Sequence, residues 1–503
     1  MALLPDFETF ARAYDAGENQ VVYTRLAADL DTPVSLMMKL NGAGKNAFML
    51  ESVTGGEVRG RYSIIGMNPD LIWECRGTES RVNRNARFDD TGFAPCVDEP
   101  LTALRGLIAE SRIDLPADLP GAAAGLFGFL GYDMIRLVEH LPDVNPDPLG
   151  LPDAVMIRPS VVAILDGVKS DVILVAPAWA DGDLSAKAAY AQAAERVMDA
   201  ERALERPAAV ESRHLHDPDP VAPPQSNFTH AGYLEAVEKA KEYIRAGDIF
   251  QVVPAQRWTQ DFREPPFALY RSLRWSAPSP YMFYFNFGGY QVVGASPEIL
   301  VQVLGSKVTI RPIAGTRPRG ATAEEDKANE ADLLADKKEL AEHLMLLDLG
   351  RNDTAKVTKV GTMRPTEEFV VEYYSHVMHI VSNVVGELAE GEDALSAFFA
   401  GMPAGTVSGA PKVRAMEIID ELEPEKRGVY GGGCGYFSAN GDMDMCIALR
   451  TAIVQDQKLY IQAGGGVVYD SDPEMEYQET VHKSNAIRKA AADAAMFTGG
   501  GNR

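Results

Sequence analysis

The chain is poor in cysteine, has no long apolar run and is short of positive charge. Only four cysteines occur in 503 residues: Cys75, Cys96, Cys434 and Cys446. None is spaced CxxC, and four in this length exclude a disulfide scaffold. A reducing cytoplasm is the expected setting. No run of about 18 apolar residues exists, so no membrane-spanning helix is expected. The opening residues, MALLPDFETFARAYDAGE, lack a basic stretch followed by an apolar one. Neither a secretory signal nor a transit peptide is read there. Lys plus Arg number 48 against 72 Asp plus Glu, a formal charge of −24. Phosphate backbones and anionic membranes repel such a surface, so neither is an expected partner. An anionic substrate would need local groups that overcome this field. What is present is ordinary for a globular protein, 46% hydrophobic and 24% charged. The length suits two or more domains or one large compound domain.

Residues 206–226, RPAAVESRHLHDPDPVAPPQS, are rich in proline and read as a linker. Proline fixes φ and removes a donor, so helix and sheet are both disfavoured. The linker separates an N-terminal region, 20–205, from a C-terminal region, 227–495. In the first, SVVAILDGVKSDVILVAP (160–177) reads as two strands joined at Asp166-Gly167. Residues 184–205 have helix composition. In the second, Thr229 caps a helix carrying Tyr233, Leu234, Val237 and Ile244, and Gly247 stops it. Phe228 and Tyr233 are placed to form a hydrophobic staple. Strand-like runs follow at 249–257, 281–287, 290–294 and 298–303. Residues 323–349 read as one helix, with Leu333, Leu334, Leu340, Leu344 and Leu347 near one stripe. Further strands are expected at 446–454 and 458–463, and a last helix at 473–495. Helices and strands do not alternate regularly, which favours α+β with a mainly antiparallel sheet covered by helices.

Four constellations could carry chemistry. Glu339 and Glu342 lie i, i+3 on one helix, and Glu476 and Glu479 do so on another, so each pair shares a helix face. Such pairs describe a solvated face or a site for Mg²⁺, which takes hard oxygen ligands and few protein carboxylates. Glycine runs at 431–433 and 464–466 flank strands, and Arg450 lies between them. Glycine lets the backbone approach an anion, and arginine grips carboxylates with two bonds, although turns and a surface arginine are the plainer reading. His379 sits in an apolar run, either as a packed histidine or as an acid/base. His376 and His379 could share a helix face, but without nearby acids they make a poor zinc site. RPIAGTRPRG (311–320), GASPEIL (294–300) and GMPAGTVSGAPKVRAMEII (401–419) are loop-like strings of the kind that bear sites.

Taken in order, PIAGTRPRG, HLMLLDLGRND, VMHIVS, GTVSGAPKVRAM, YGGGCGYF and AGGGVVYDSDPEMEYQET resemble the chorismate-utilising enzymes. Within that family the likeness is to the anthranilate synthase component I branch, from about residue 20 to 490. The resemblance implies an α+β fold of two packed, mainly antiparallel β-sheets covered by helices. It implies a reaction in which chorismate and ammonia give an aminated intermediate that loses pyruvate to yield anthranilate, committing chorismate to tryptophan biosynthesis. By the same resemblance, Glu342 and Glu479 are Mg²⁺ ligands with Glu339 and Glu476 beside them. Tyr430 and Arg450 grip the enolpyruvyl carboxylate. Gly464, Gly465 and Gly466 offer backbone amides, and Gly315 and Thr316 touch substrate. Glu298 is the acid that protonates the departing 4-hydroxyl, and His379 serves the elimination, with Thr406 nearby. Lys483 lies close to metal and substrate.

Two positions separate this branch from its relatives. Aminodeoxychorismate synthases often carry a nucleophilic lysine where this chain has Ala314. Isochorismate and salicylate synthases carry a water-activating lysine where it has Gln251. A methyl group is no nucleophile and glutamine is no general base, so direct amination by ammonia is the expectation. Those two activities are the alternatives. No length is left over for a glutaminase, so a separate glutamine amidotransferase subunit is the implied ammonia source, in a hetero-oligomer. The resemblance also implies feedback inhibition by tryptophan. Glu51 and Ser52 would meet its amino group, and Tyr281 and Met282, in the Pro280-Tyr281-Met282 motif, would flank its indole.

Overall fold

The structure is a computed structural model and describes residues 2–40, 44–53, 60–180, 182, 184–207, 223–374 and 377–498. Every strand pair among them is antiparallel. Apart from the short pair Gln251–Val252 and Gly409–Ala410, the strands join in one continuous 21-stranded sheet, whose two arms share two long strands, Tyr62–Arg76 and Ala154–Asp166. The first half of Tyr62–Arg76 pairs with Ala47–Glu51 and its second half with Glu79–Asn83. Ala154–Asp166 pairs first with Gly125–Leu130 and then with Asp171–Ala178. Its run of β-branched and aliphatic residues is buried throughout, as a strand covered on both faces should be. From these strands one arm runs on through Tyr281–Asn286, Tyr290–Ser296, Thr451–Gln455, Lys458–Gly464 and Ala255–Asp261. The other runs through Gly433–Ser438, Met443–Ile447, Ile299–Leu304, Lys307–Ile310 and Val377–Glu387.

The core lies between the arms. Phe48, Phe283 and Phe285 of one meet Phe127, Phe129 and Cys434 of the other. Helices Ala186–Leu204, Pro266–Ser276 and Pro473–Asp493 cover the outside of the first arm through Val197, Leu269 and Ile487. Helices Pro100–Glu110 and Ala394–Gly401 cover the second through Leu104 and Phe398. The α+β expectation is met. The linker divides the sequence but not this core, because Ala47–Glu51 pairs with Tyr281–Asn286 and Gly125–Leu130 with Gly433–Ser438. Residues 208–222 of that linker lie outside the described residues, and its end, Gln225–Ser226, pairs as a short strand with Ala255–Asp261. No helix among the described residues is long and apolar enough to cross a membrane.

Local signals translate directly. Thr229 Oγ1 accepts the Gly232 amide, the helix spans His230–Ala246, and Gly247 closes it at φ +85°. The Phe228 and Tyr233 rings meet edge-on at 5.5 Å. Three expectations need correction. The segment 323–349 is two helices, Ala323–Ala335 and Lys337–Val357, because Asp336 is extended and caps the second through the Lys338 and Glu339 amides. Of the stripe, Leu333 and Leu347 are buried but Leu334 and Leu344 are exposed. The run 446–454 is broken between Met443–Ile447 and Thr451–Gln455, where Arg450 has φ +46°. His379 lies on the strand Val377–Glu387, not a helix, and His376 falls outside the described residues.

Candidate active site

Glu298 follows the strand Tyr290–Ser296. Its amide donates to Ser296 Oγ at 3.4 Å, and its carbonyl accepts from Ser296 Oγ at 3.3 Å and from the Ile447 amide at 3.0 Å. The backbone is thereby held and the carboxyl aimed. Thr406 Oγ1 donates to Glu298 Oε2 at 3.1 Å. Burial pushes the Glu298 pKa up to about 7, against the Thr406 bond and the charges of Arg450 and Lys483. A carboxyl poised near neutrality is suited to protonate a leaving oxygen. A cavity of about 40 Å³ reaches Glu298 and Thr406 between Pro312, Leu346, Leu349 and Gly405.

Arg450 is near enough to Glu298 for its charge to act on that carboxyl. Its left-handed backbone is uncommon for a side chain of this size and marks a position held by its surroundings. The Arg450 carbonyl accepts the Ala295 amide at 3.1 Å. Burial pulls its pKa down while Glu298 opposes. No hydrogen bond or ion pair from another described residue holds its guanidinium. A half-buried guanidinium with no protein partner is suited to grip a carboxylate.

His379 Nδ1 lies 2.9 Å from the Gly315 carbonyl and 3.1 Å from Thr316 Oγ1. A carbonyl only accepts, so Nδ1 carries the proton and Nε2 keeps a lone pair. Burial lowers the histidine pKa, with Arg450 acting in the same direction, so the ring is neutral and basic. Gly315, at φ +68°, makes the turn that brings its carbonyl there, and a Cβ would sit 3.3 Å from Glu339 Oε2.

The four glutamates converge from the helices Lys337–Val357 and Pro473–Asp493. Burial raises the Glu342 pKa, and the charges of Glu339 and Glu479 raise it further. Burial raises Glu339 as well. Burial and Glu479 push Glu476 up to about 7, and its Oε2 is buried without a partner. Lys483 Nζ stands 2.6 Å from Glu479 Oε1 and donates to the Gly464 carbonyl at 3.0 Å. Burial depresses the lysine, but Glu479 outweighs it and the ammonium stays charged. Gln251 Nε2 donates to Glu342 Oε1 at 3.2 Å.

The glycine run 464–466 works differently from the expectation. The Gly464 amide bonds the Tyr430 hydroxyl and the Gly465 amide donates to the Pro254 carbonyl at 3.2 Å. Two of the three amides are therefore engaged, and the run serves close passage more than anion binding. A Cβ on Gly466 would meet Gln251 Nε2 at 2.8 Å. Cys434 is buried in the strand Gly433–Ser438, and burial holds its thiol far from ionisation, which excludes a glutaminase nucleophile there.

Thus Glu298, Thr406, Arg450, His379, Gly315, Thr316, Tyr430, Lys483, the glycines and the four glutamates form one constellation. The expected regulatory residues lie apart, on the paired strands Ala47–Glu51 and Tyr281–Asn286. Glu51 is buried and accepts from Arg274 Nε at 2.6 Å and from the Tyr270 hydroxyl. Met282 is buried opposite Glu51, and Pro280, Tyr281 and Ser52 are half-buried. Sequence reasoning passed over Glu423 and Arg427, a buried pair directly behind Tyr430. Their i, i+4 spacing and opposite charge in ELEPEKRGVY were the available signal.

Comparison with known proteins places this constellation in a class. Residues 64–489 match the family described as chorismate binding enzyme. The chain belongs to that family and is a chorismate-utilising lyase. It is 72% identical to an anthranilate synthase component 1 from Cereibacter sphaeroides, across 98% of this chain and 99% of that protein. It is 46% identical to the component 1 protein of Pseudomonas putida, across 96% and 98%. The crystal structure of anthranilate synthase component I from Streptococcus pneumoniae superposes with a TM-score of 0.75 at 36% identity, covering 92% of this chain and 99% of that one. A menaquinone-specific isochorismate synthase from Escherichia coli, at 18% identity and TM-score 0.69, shares the fold.

Proposed function

We infer that this chain is the aminating subunit of an anthranilate synthase, joining ammonia to chorismate and eliminating pyruvate to give anthranilate. The observation that carries the site reading is Arg450, half-buried and without a side-chain partner among the described residues, near a glutamic acid that holds its proton near neutrality. Arg450, with Tyr430, takes the enolpyruvyl carboxylate. Glu298 donates its proton to the departing 4-hydroxyl, which leaves as water while ammonia bonds to C2. Ala314 and Gln251 offer no competing nucleophile or base. His379 Nε2 then accepts the ring proton as the bond to the enolpyruvyl oxygen breaks, and pyruvate is released. Gly315 and Thr316 hold the imidazole in the required tautomer.

The donor set suits magnesium. Among the described residues no three His, Cys, Asp or Glu side chains form a ready cage, and Mg²⁺ sites commonly use only one or two carboxylates with substrate and water. Glu476 Oε2 is buried without a hydrogen-bond partner, and Glu342 faces the like charges of Glu339 and Glu479, so the Lys483 ammonium on Glu479 leaves negative charge uncompensated among the four carboxylates. Glu342 and Glu479 would hold the ion, with Glu339 and Glu476 behind them, and a bound ion supplies positive charge for the ring carboxylate.

A separate glutamine amidotransferase subunit supplies the ammonia in a hetero-oligomer, as the component 1 names of the relatives suggest. The protein works in the cytoplasm. Tryptophan binds at Glu51, Ser52, Pro280, Tyr281 and Met282 and inhibits. Because Glu51 already carries Arg274, the amino group meets a carboxylate whose charge is shared. Incubation with chorismate, Mg²⁺ and ammonium is the test: anthranilate fluorescence supports the reading, and 4-amino-4-deoxychorismate or isochorismate in its place overturns it. Full activity at millimolar tryptophan would remove the regulatory part.

A further inference from the structure

Behind Tyr430 lies an ion pair withdrawn from solvent. Glu423 is 4% exposed and Arg427 3%. Arg427 Nε donates to both Glu423 oxygens, at 3.1 and 3.0 Å, and Nη2 adds a third bond. The remaining donors leave the pair. Nη1 donates to the Val407 carbonyl at 2.5 Å and Nη2 to the Val253 carbonyl at 2.7 Å. Glu423 Oε1 also accepts the Ala255 amide at 2.8 Å. The guanidinium lies over two tyrosine rings, 4.7 Å from Tyr132 and 5.6 Å from Tyr430.

Each contact lands beside a residue of the site. Val407 follows Thr406, whose hydroxyl holds Glu298. Val253 and Ala255 flank Pro254, whose carbonyl receives the Gly465 amide. Gln251, bonded to Glu342, is two residues before Val253. Tyr430 bonds the Gly464 amide. One guanidinium therefore joins four chain segments that approach from different parts of the sequence. A buried ion pair adds little stability over an apolar pair of similar volume, because desolvation offsets the attraction. Its distinctive product here is geometry. Only a planar fork with several donors reaches a carboxylate and two carbonyls while stacking on two rings, and an ammonium cannot.

We propose that Arg427, clamped by Glu423, is a positioning residue for chorismate turnover, fixing Tyr430, the Thr406 segment and the 253–255 segment in the arrangement that receives substrate. It rests on the roles given above to Tyr430, Thr406 and Glu298. The test compares KM for chorismate and the pH dependence of kcat in Arg427→Lys and in the double variant Arg427→Met/Glu423→Gln. The double variant removes both charges, keeps an acceptor for the Ala255 amide and leaves the two carbonyls without donors. With folding verified by circular dichroism, KM rises about 10-fold or more in both variants. The alkaline limb of kcat moves to higher pH, because a loosened Thr406 no longer holds the Glu298 proton affinity down. A folded double variant with unchanged KM and an unmoved limb overturns the proposal, as does Arg427→Lys with wild-type values. If the double variant does not fold, Tyr132→Leu removes one of the two rings at the guanidinium without touching charge. It is expected to raise KM about 3-fold, and an unchanged KM overturns the proposal equally. Thr406→Val, measured alongside, must move the same limb. A limb that stays put in Thr406→Val removes the reading of the site itself, whereas one that moves there but not in the Arg427 variants removes only the positioning role.

Discussion

Arg427 is buried and Arg450 half-buried in this chain, and their surroundings are opposite. Arg427 has Glu423, two carbonyls and two aromatic faces around it. Arg450 bears the desolvation penalty of burial with no hydrogen-bonding partner among the described residues. The carboxylates divide in the same way. Glu423 is saturated, while Glu476 keeps a buried oxygen without a partner and Glu342 faces two like charges. Where the protein completes its own polar bonds it builds a floor, and where it leaves them open a charged ligand is required. This also answers the net charge of −24. A dianion is recognised by a few desolvated cationic groups at short range, where distant surface acids are screened.

The sharpest way to break this contrast is to neutralise each arginine. Arg450→Gln should lower kcat/KM for chorismate about 1,000-fold, the effect of deleting one member of a buried charge pair. Its melting temperature should hold or rise, because nothing in the protein loses a partner. Arg427→Met alone should do the reverse first, destabilising the fold by about 3–5 kcal/mol through the stranded Glu423 carboxylate. Equal melting shifts in the two variants would erase the distinction.

Next in size are the open carboxylates. Glu342→Gln or Glu479→Gln should reduce turnover about 100-fold, the order of losing a metal contact. A chelator should do the same to the unaltered protein, reversibly with added Mg²⁺. Unchanged rates in both variants would falsify the ligand assignment.

A pH titration of stability gives a smaller effect. Glu298 and Glu476 sit at about 7 in the folded protein against 4.5 for a free glutamate. The folded state therefore binds their protons more tightly than the unfolded chain does. For these two groups, stability is greatest below about pH 4.5 and falls as the pH rises to about 7. Glu298→Gln should flatten part of that slope in urea unfolding at several pH values, and a slope equal to wild type would show that Glu298 is not the group responsible.

The smallest effect belongs to a feature far from the chemistry. Thr229→Ala removes one helix cap and should cost about 1 kcal/mol in denaturant unfolding while leaving KM for chorismate unchanged. A shift in KM would mean that the His230–Ala246 helix communicates with the site.

Legibility in the sequence followed the range of the interaction. The Thr229 cap, the Gly247 stop, the Phe228–Tyr233 staple and the 160–177 hairpin are decided within a few residues, and all could be read directly. The Asp336 break was also local, but apolar spacing outweighed a single capping residue and two helices were read as one. The interruption at Arg450 was not readable, because a left-handed arginine is a local cost that only the surrounding strands maintain. The motif strings located the site residues through family resemblance, while composition and spacing reached only a magnesium-assisted site for a small anion. The Glu423–Arg427 pair was missed since an i, i+4 ion pair usually lies on a solvated surface.

The sequence by itself determined the helix-borne glutamate pairs, the α+β class, the absence of a nucleophile at Ala314 and the absence of a base at Gln251. These are properties of residue type and short spacing. Tertiary structure alone decided which charges stay open. Desolvation depends on what the whole chain packs around a group, so the same glutamate or arginine is a solvated surface charge, a closed structural pair or a ligand site according to neighbours hundreds of residues away.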